Sequence, residues 1–383
     1  MPYHAQRSMS PVIPRSDYGS PEAFARDVRV LRDNSWQLVG TFAEVAEPGD
    51  YLACETLGIP ILVRNFEGTW AAFLNVCAHR HCLLVDQGCG NAPTLKCRYH
   101  GWNYGVDGRT RKLPGAKNFP KFDRETHRLQ NFRVEACGEL LFVNFRPDGP
   151  SLADALKGDF IELCRATNPD QWKRNLATHF DFDADWKIPI EGSLESYHLE
   201  EVHAATFGHD PGEEHTTHHL RDHGTEFSTS FRTHSFLERM EERSIRFLTG
   251  DFRGQYRHLH LFPNVMASLN DSVSLIYQTT PVAPGKSRMK VWGFGRTATR
   301  GGIVGKALAV AMRRASARMA VKVLGEDAGI FPKVQAGMTA IDPDHPSSRG
   351  VLGRCEERLH AFQTDWMRRC HTLTSTLKSS PPS

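Results

Sequence analysis

Two short strings hold the residues best suited to chemistry: Cys77-Ala78-His79 and Cys97-Arg98-Tyr99-His100, separated by the seventeen residues Arg80 to Lys96. Two thiolates and two imidazoles offered as C-x-H and C-x-x-H can hold a [2Fe–2S] cluster, one iron on the cysteines and the other on the histidines. Neutral imidazole in place of two thiolates leaves such a cluster less negative and raises its potential above that of an all-cysteine ferredoxin. The rival is structural zinc, which usually reads C-x2–4-C with a second two-ligand knuckle. Here each half supplies one Cys and one His in the same order. Gly88, Gly90 and Gly101 stand where the ligand loops must turn. The pattern predicts a Rieske cluster on Cys77, His79, Cys97 and His100, and therefore one-electron redox chemistry.

A second constellation lies in Trp186-Lys187-Ile188-Pro189-Ile190-Glu191-Gly192-Ser193-Leu194-Glu195-Ser196-Tyr197-His198, followed by His203. A mononuclear non-haem iron that activates O₂ is held by two His and one carboxylate on one face. Five residues along a continuous helix separate His198 and His203 by about 140°. Both can face one metal only if the helix ends between them, and Val202 with the loop-like 204–208 allows that ending. The bland alternative is a pair of surface or core histidines.

With these motifs in order, the chain from Trp36 to Met338 resembles the catalytic α subunit of the Rieske non-haem iron ring-hydroxylating oxygenases. The family's E/D-x-Y-H-x4-H motif stands as Glu195-Ser196-Tyr197-His198 and His203. Its W-K opening is Trp186-Lys187, and its late acidic element is Glu326-Asp327 followed by Val334-Gln335-Ala336-Gly337. The resemblance implies iron ligands His198, His203 and Asp327, with Glu326 as a neighbouring competitor. It implies that Glu195 bridges a cluster histidine of one subunit and an iron histidine of the next; its bland reading is a helix acid on the same face as His198. Many relatives carry Asn where this chain has Gly192. Cys82 sits where respiratory Rieske proteins have a disulfide, but the partner position is Tyr99, so the chain sides with the oxygenase type.

The resemblance further implies an α+β fold: an N-terminal all-β Rieske [2Fe–2S] domain and a C-terminal helix-grip (START-like) antiparallel sheet. The cofactors it implies are the Rieske cluster and a mononuclear Fe(II). The partners are a ferredoxin or flavin reductase, O₂ and a small organic substrate, an aromatic compound or a quaternary amine. Subunits are expected in rings of three, with or without a small β subunit. The competing function is a Rieske electron-transfer or binding protein without oxygenase activity.

The elements that must position these residues read as three stretches. Residues 1–35 form a loose leader and a helix from Pro21, with Pro at its start and acids in its first turns. Residues 36–146 read as short strands broken by turns such as Phe66-Glu67-Gly68, closing on Leu140–Asn144. Residues 147–383 open on the linker Pro147-Asp148-Gly149-Pro150 and form the catalytic domain. There the pattern predicts a helix at Leu152–Leu156, a strand at Asn175–Asp183 and a helix at Ile188–Tyr197. A mobile His-rich loop is expected over 208–225, containing His209, His215, His218, His219 and His223. Strands follow at His258–Leu269, Ser272–Thr280 and Arg288–Thr297, then a long helix at Ile303–Gly337 bent near Gly325. The aromatics Phe227, Phe231, Phe236 and Phe247 read as core, and the tail from Lys378 as disordered.

At 383 residues, 24% charged and 40% hydrophobic, the chain has the composition of a soluble globular protein with room for two cores. A net charge of +3 is too small to argue for nucleic acid or an anionic membrane. Nine cysteines, two assigned to the cluster, leave Cys54, Cys82, Cys89, Cys137, Cys164, Cys355 and Cys370 with no framework. Buried thiols in a reducing, cytoplasmic setting are the expectation. No signal peptide or apolar run of membrane-spanning length is visible. No nicotinamide or flavin fingerprint is visible either, so electrons must come from another polypeptide.

Overall fold

The computed structural model describes residues 3–206, 210–230 and 236–379. They divide into two compact units, Arg32–Ile161 and the described parts of Met1–Leu31 with Glu162–Ser383. The first is built mainly of antiparallel sheet around its ligand loops, with the short helix Leu152–Leu156 near its end. Its seven strands run in the order Gln37–Thr41, Leu140–Asn144, Asn131–Cys137, Thr69–Leu74, Ile59–Phe66, Asp50–Thr56, Gly88–Asn91. A three-stranded sheet of Leu95–Lys96, Asn103–Tyr104 and Thr110–Lys112 carries the second ligand loop. One core cluster gathers Leu62, Phe73, Leu84, Leu95, Trp102, Tyr104 and Leu129 around Cys77 and Cys97, so the thiols sit in apolar packing.

The second unit is built on a seven-stranded antiparallel sheet, in the order Trp172–Phe182, Lys286–Arg296, Val273–Ala283, Val265–Leu269, Gln255–Leu261, Gly224–Ser230, Thr216–Arg221. The helix Gly302–Ala328 packs on the first two strands and on Val273–Ala283, and the helix Glu357–Ser379 on the last two. This is the helix-grip arrangement, and with the first unit it makes the α+β class.

Several expected elements differ. The helix expected over Ile188–Tyr197 stops at Ser193, and a separate four-residue helix, Leu199–Val202, follows. The His-rich stretch is not a loop throughout: Thr216–Arg221 and Gly224–Ser230 form a hairpin in the main sheet, while His209 lies outside the described residues. His258–Leu269 is two strands, with a turn at 262–264. The long helix breaks at Gly329 rather than near Gly325, and a second helix, Phe331–Ala340, carries Pro332 in its first turn, where its missing N–H costs nothing. The helices Gly158–Ala166, Phe236–Thr249 and Glu357–Ser379 have no counterpart in the sequence reading. Phe227 is core, Phe236 and Phe247 are exposed, and Phe231 lies outside the described residues, as do 380–383 of the tail.

The leader is not loose. His4 and Ala5 donate backbone N–H groups to the Glu357 carboxylate at 2.8 and 2.7 Å, and Val12 donates to Gln363 at 2.7 Å. Its helix, Pro21–Asn34, buries Asp27, which accepts from Trp186 Nε1 at 2.9 Å and from Lys187 Nζ at 2.6 Å. Lys187 is wholly buried and also pairs with Asp185 at 2.8 Å, so the W-K opening is anchored by two carboxylates that compensate its charge.

Candidate metal centres

The two cysteine–histidine loops are built alike. His81 N–H donates to Cys77 O at 3.1 Å and Gly101 N–H to Cys97 O at 3.0 Å. Each cysteine's own N–H then donates five residues ahead, to Cys82 O at 2.9 Å and to Trp102 O at 2.8 Å. The fourth residue after each cysteine takes a left-handed conformation, His81 at φ 57° and Gly101 at φ 75°. His79 and His100 face each other with ring centroids 4.6 Å apart, and His79 stacks on Trp102 at 4.6 Å. Tyr104 Oη lies 3.0 Å from Cys77 Sγ and accepts from Ala78 N–H at 3.1 Å.

Two observations fit a [2Fe–2S] group here. His79 Nδ1 is buried with no hydrogen-bond partner, a position that a metal bond would satisfy. Burial, then the charge of His100, holds the His79 pKa below its ordinary value, which keeps the ring in the neutral, ligating form. Cys82 is half-buried, Cys89 is exposed rather than buried, and no disulfide joins any of the nine cysteines.

In the second unit, His198, His203 and Asp327 form the one group of three potential ligands found among the described residues, their donor atoms all within 4.8 Å. His203 Nε2 lies 3.0 Å from Asp327 Oδ1, and His198 Nε2 lies 3.6 Å from the same oxygen. The single helical turn Leu199–Val202 solves the 140° problem: His198 caps its start and His203 its end, both outside regular helix. Asp327 comes from the last turn of Gly302–Ala328.

The outer nitrogens are equally well defined. Glu195 Oε1 lies 2.5 Å from His198 Nδ1, and Glu326 Oε2 lies 2.8 Å from His203 Nδ1. With each Nδ1–H given to a carboxylate, both Nε2 lone pairs turn inward toward Asp327, the tautomer a metal needs. Two nitrogens and one carboxylate oxygen on one face match a non-haem Fe(II) site. Burial opposes a charge on His198, but Glu195 and Asp327 outweigh it and its pKa lies above the ordinary value. Glu195 is not a helix acid: it sits in the turn after Ser193, and also accepts from the N–H groups of Tyr197 and His198.

Glu326 is thus brought to the outer side of His203, where Thr206 Oγ1 donates to it at 2.8 Å. The sequence reading held it only as a competing ligand. The space an asparagine would take at Gly192 is filled, since a Cβ there would lie 2.9 Å from Phe331 Cε1. His218, within the His-rich stretch, is buried against Glu357 at 2.9 Å. Burial, then the charge of Arg358, pushes its pKa down to about 4.

These features define a protein with a Rieske domain and a mononuclear iron domain. Residues 35–128 match the Rieske [2Fe-2S] domain family, and residues 169–372 match the family described as ring hydroxylating alpha subunit (catalytic domain). The chain belongs to the ring-hydroxylating α-subunit family, and its two domains imply a Rieske cluster and a mononuclear iron. It is 32% identical over 199 residues to the glycine betaine monooxygenase oxygenase subunit of Chromohalobacter salexigens, covering 52% of this chain and 44% of that protein. It is 31% identical over 195 residues to the carnitine monooxygenase oxygenase subunit of Escherichia coli, covering 50% and 52%. The chain spans about half the length of the curated relatives it matches. A solved quaternary ammonium Rieske monooxygenase superposes with a TM-score of 0.75 at 20% identity over 95% of both chains. Naphthalene 1,2-dioxygenase superposes with a TM-score of 0.73 at 18% identity over 95% and 92%. Both share the fold. Among the described residues no helix is long and apolar enough to cross a membrane.

Proposed function

We propose that this chain is the oxygenase component of a Rieske-type monooxygenase or dioxygenase, with residues 36–146 as the electron-accepting domain and 147–383 as the catalytic domain. The observation that carries the reading is the inward pair of Nε2 atoms sharing Asp327 while Glu195 and Glu326 hold the outer nitrogens. In this reading Cys77, His79, Cys97 and His100 hold the cluster, and His198, His203 and Asp327 hold the iron. When bound, the cluster supplies electrons singly and the iron supplies the site for O₂ activation.

The chain's own residues have distinct tasks. Glu195 and Glu326 orient the imidazoles and raise their basicity. Phe331, packed against Gly192, closes the space beside the helix that leads to His198. Electrons come from a separate ferredoxin or flavin reductase. The substrate is an aromatic compound or a quaternary amine, hydroxylated or oxidatively demethylated. The quaternary-amine relatives favour the second class. A ring of three subunits is supported by a related monooxygenase whose structure is described in terms of inter-subunit electron transfer in that protein. Nine cysteines without a disulfide fit a cytoplasmic setting. An electron carrier without oxygen chemistry would need no second donor set. Substrate-dependent O₂ uptake with a surrogate reductase tests the reading; a panel of betaines and aromatic compounds giving none, on iron-replete protein, would overturn it.

A further inference from the structure

The two cysteine–histidine loops come from separate stretches of the first unit, and no disulfide joins them. Side-chain contacts that cross between them are of two kinds. Some lie at the surface: Arg80 sits over the Tyr99 ring at 5.6 Å, and Arg98 pairs with Asp86 at 2.8 Å with 54% and 80% of the two side chains exposed. An ion pair so exposed is screened by solvent and holds little.

Others are buried and start from residues 102–104, just after the second loop. The Trp102 indole lies flat on the His79 imidazole, with centroids 4.6 Å apart and planes within 5° of parallel. The backbone of the same residue closes the second loop, its carbonyl accepting from Cys97 N–H at 2.8 Å. Tyr104, two residues on, places Oη 3.0 Å from Cys77 Sγ and accepts from Ala78 N–H at 3.1 Å. Both Trp102 and Tyr104 are buried. Trp102 is held edge-on by Phe119 at 5.6 Å and Phe122 at 5.2 Å, and Phe119 also meets His79 edge-on at 5.7 Å. Stacked and edge-on pairs of this kind add to what burial alone supplies. His100 lacks such packing: it is exposed, and besides His79 it meets the ring of the exposed Tyr99.

We propose that Trp102 is a positioning residue that braces the two ligand loops without a covalent link and fixes the plane of the His79 imidazole toward the cluster. The terminal torsion of a histidine is broad, so its ring plane is set by what it packs on rather than by rotamer preference. A flat indole clamped by two phenylalanines supplies that surface, and because its own carbonyl closes the other loop, the two loops cannot shift independently. The inference rests on the assignment of Cys77, His79, Cys97 and His100 to a cluster and not on oxygen chemistry.

The test reads the cluster-loaded protein by chelator-driven bleaching and by the two histidine nitrogen couplings in its reduced EPR signal. W102L removes the stack and should bleach about tenfold faster, the upper end for one lost ring pair, with one nitrogen coupling shifted or broadened and the other in place. W102F keeps a flat ring and should restore that coupling and most of the lifetime. R98A, which breaks only the exposed pair, should bleach within about twofold of wild type. L62A cuts into the same core from the strand Ile59–Phe66 and should weaken the fold in urea with both couplings in place. Wild-type couplings and bleaching in W102L overturn the brace, and so does W102F behaving as W102L. A coupling moved equally by L62A or R98A overturns it too, since general packing or surface charge would then suffice. Should W102L fail to fold, F119L loosens the clamp on both rings, and an unmoved coupling there overturns the proposal equally. A wild type showing no histidine nitrogen at all overturns the cluster assignment and the brace with it.

Discussion

Replacing Glu195 and Glu326 in turn with Gln separates two supports that look equivalent at the imidazoles. Each change keeps the side-chain volume and an amide oxygen that can still accept from Nδ1, so ring orientation persists and only the charge is lost. The carboxylates lie 2.5 and 2.8 Å from their respective Nδ1 atoms. Losing such a carboxylate weakens metal affinity by about 10- to 100-fold, or about 1.4–2.8 kcal/mol. The two should fall at opposite ends of that range. The Glu195 side chain is 11% exposed and accepts from two backbone N–H groups as well as His198. Glu326 is 20% exposed, shares a hydrogen bond with Thr206, and lies 4.0 Å from Lys322, which screens its charge. Fe(II) affinity measured against a competing chelator should therefore drop about 100-fold in E195Q and about 10-fold in E326Q. At saturating Fe(II), E326Q should recover turnover, whereas E195Q should stay at least about tenfold slow because its carboxylate is also expected to meet a cluster histidine. Unchanged Fe(II) affinity in both variants, or full recovery of E195Q with added iron, would refute the reasoning.

Three further outcomes follow from local geometry. G192N forces a side chain to within 2.9 Å of Phe331 and should cost about 1–3 kcal/mol in urea unfolding, relieved when combined with F331A. Glu191 is buried against Tyr18 at 2.5 Å and Gln363 at 2.9 Å, and burial pushes its pKa from 4.5 up to about 7 despite those hydrogen bonds. A carboxyl raised in the folded state stabilises most below its unfolded pKa, so wild type should lose about 3 kcal/mol relative to E191Q between pH 4.5 and 7 and then level off, read from pH-dependent unfolding. G101V places a β-branched residue at φ 75° with its Cβ 3.3 Å from Lys96 and should strip the cluster absorbance, while H81G, relaxing a residue already at φ 57°, should retain it.

The proposed metal ligands were suggested by short strings in which their chemistry is written. C-x-H, C-x-x-H and H-x4-H fix which atoms can meet before any tertiary contact is known, and Glu326-Asp327 narrowed the third ligand to two neighbours. Glu326 lies beside His203 Nδ1 and Asp327 beside His203 Nε2, a difference set by the phase of one helical turn that no local pattern encodes. The strand Thr216–Arg221 was hidden for a related reason. All but one of its residues T-T-H-H-L-R are polar, and His218 is accommodated inside with its N–H received by Glu357, far along the chain. The same long-range pairing hid the helix Glu357–Ser379, whose buried face carries Arg358 and Gln363 among Leu359, Phe362 and Trp366. The leader read as loose because its anchors are largely backbone amides, which leave no trace in side-chain pattern. Pro332 was the available signal for the helix break, since a proline cannot donate to the carbonyl four residues back and is tolerated only in a helix's first turn.

The most direct test of the central claim is the iron content of the purified protein, counted with the reduced-cluster EPR signal before and after D327A. The account predicts about three irons per chain, two of them in a cluster whose signal shows mixed His/Cys ligation. D327A should fall to about two irons, with that signal intact and turnover abolished. Three irons and full activity in D327A, or loss of the mononuclear iron in E326A while D327A keeps it, would contradict the assignment of the triad.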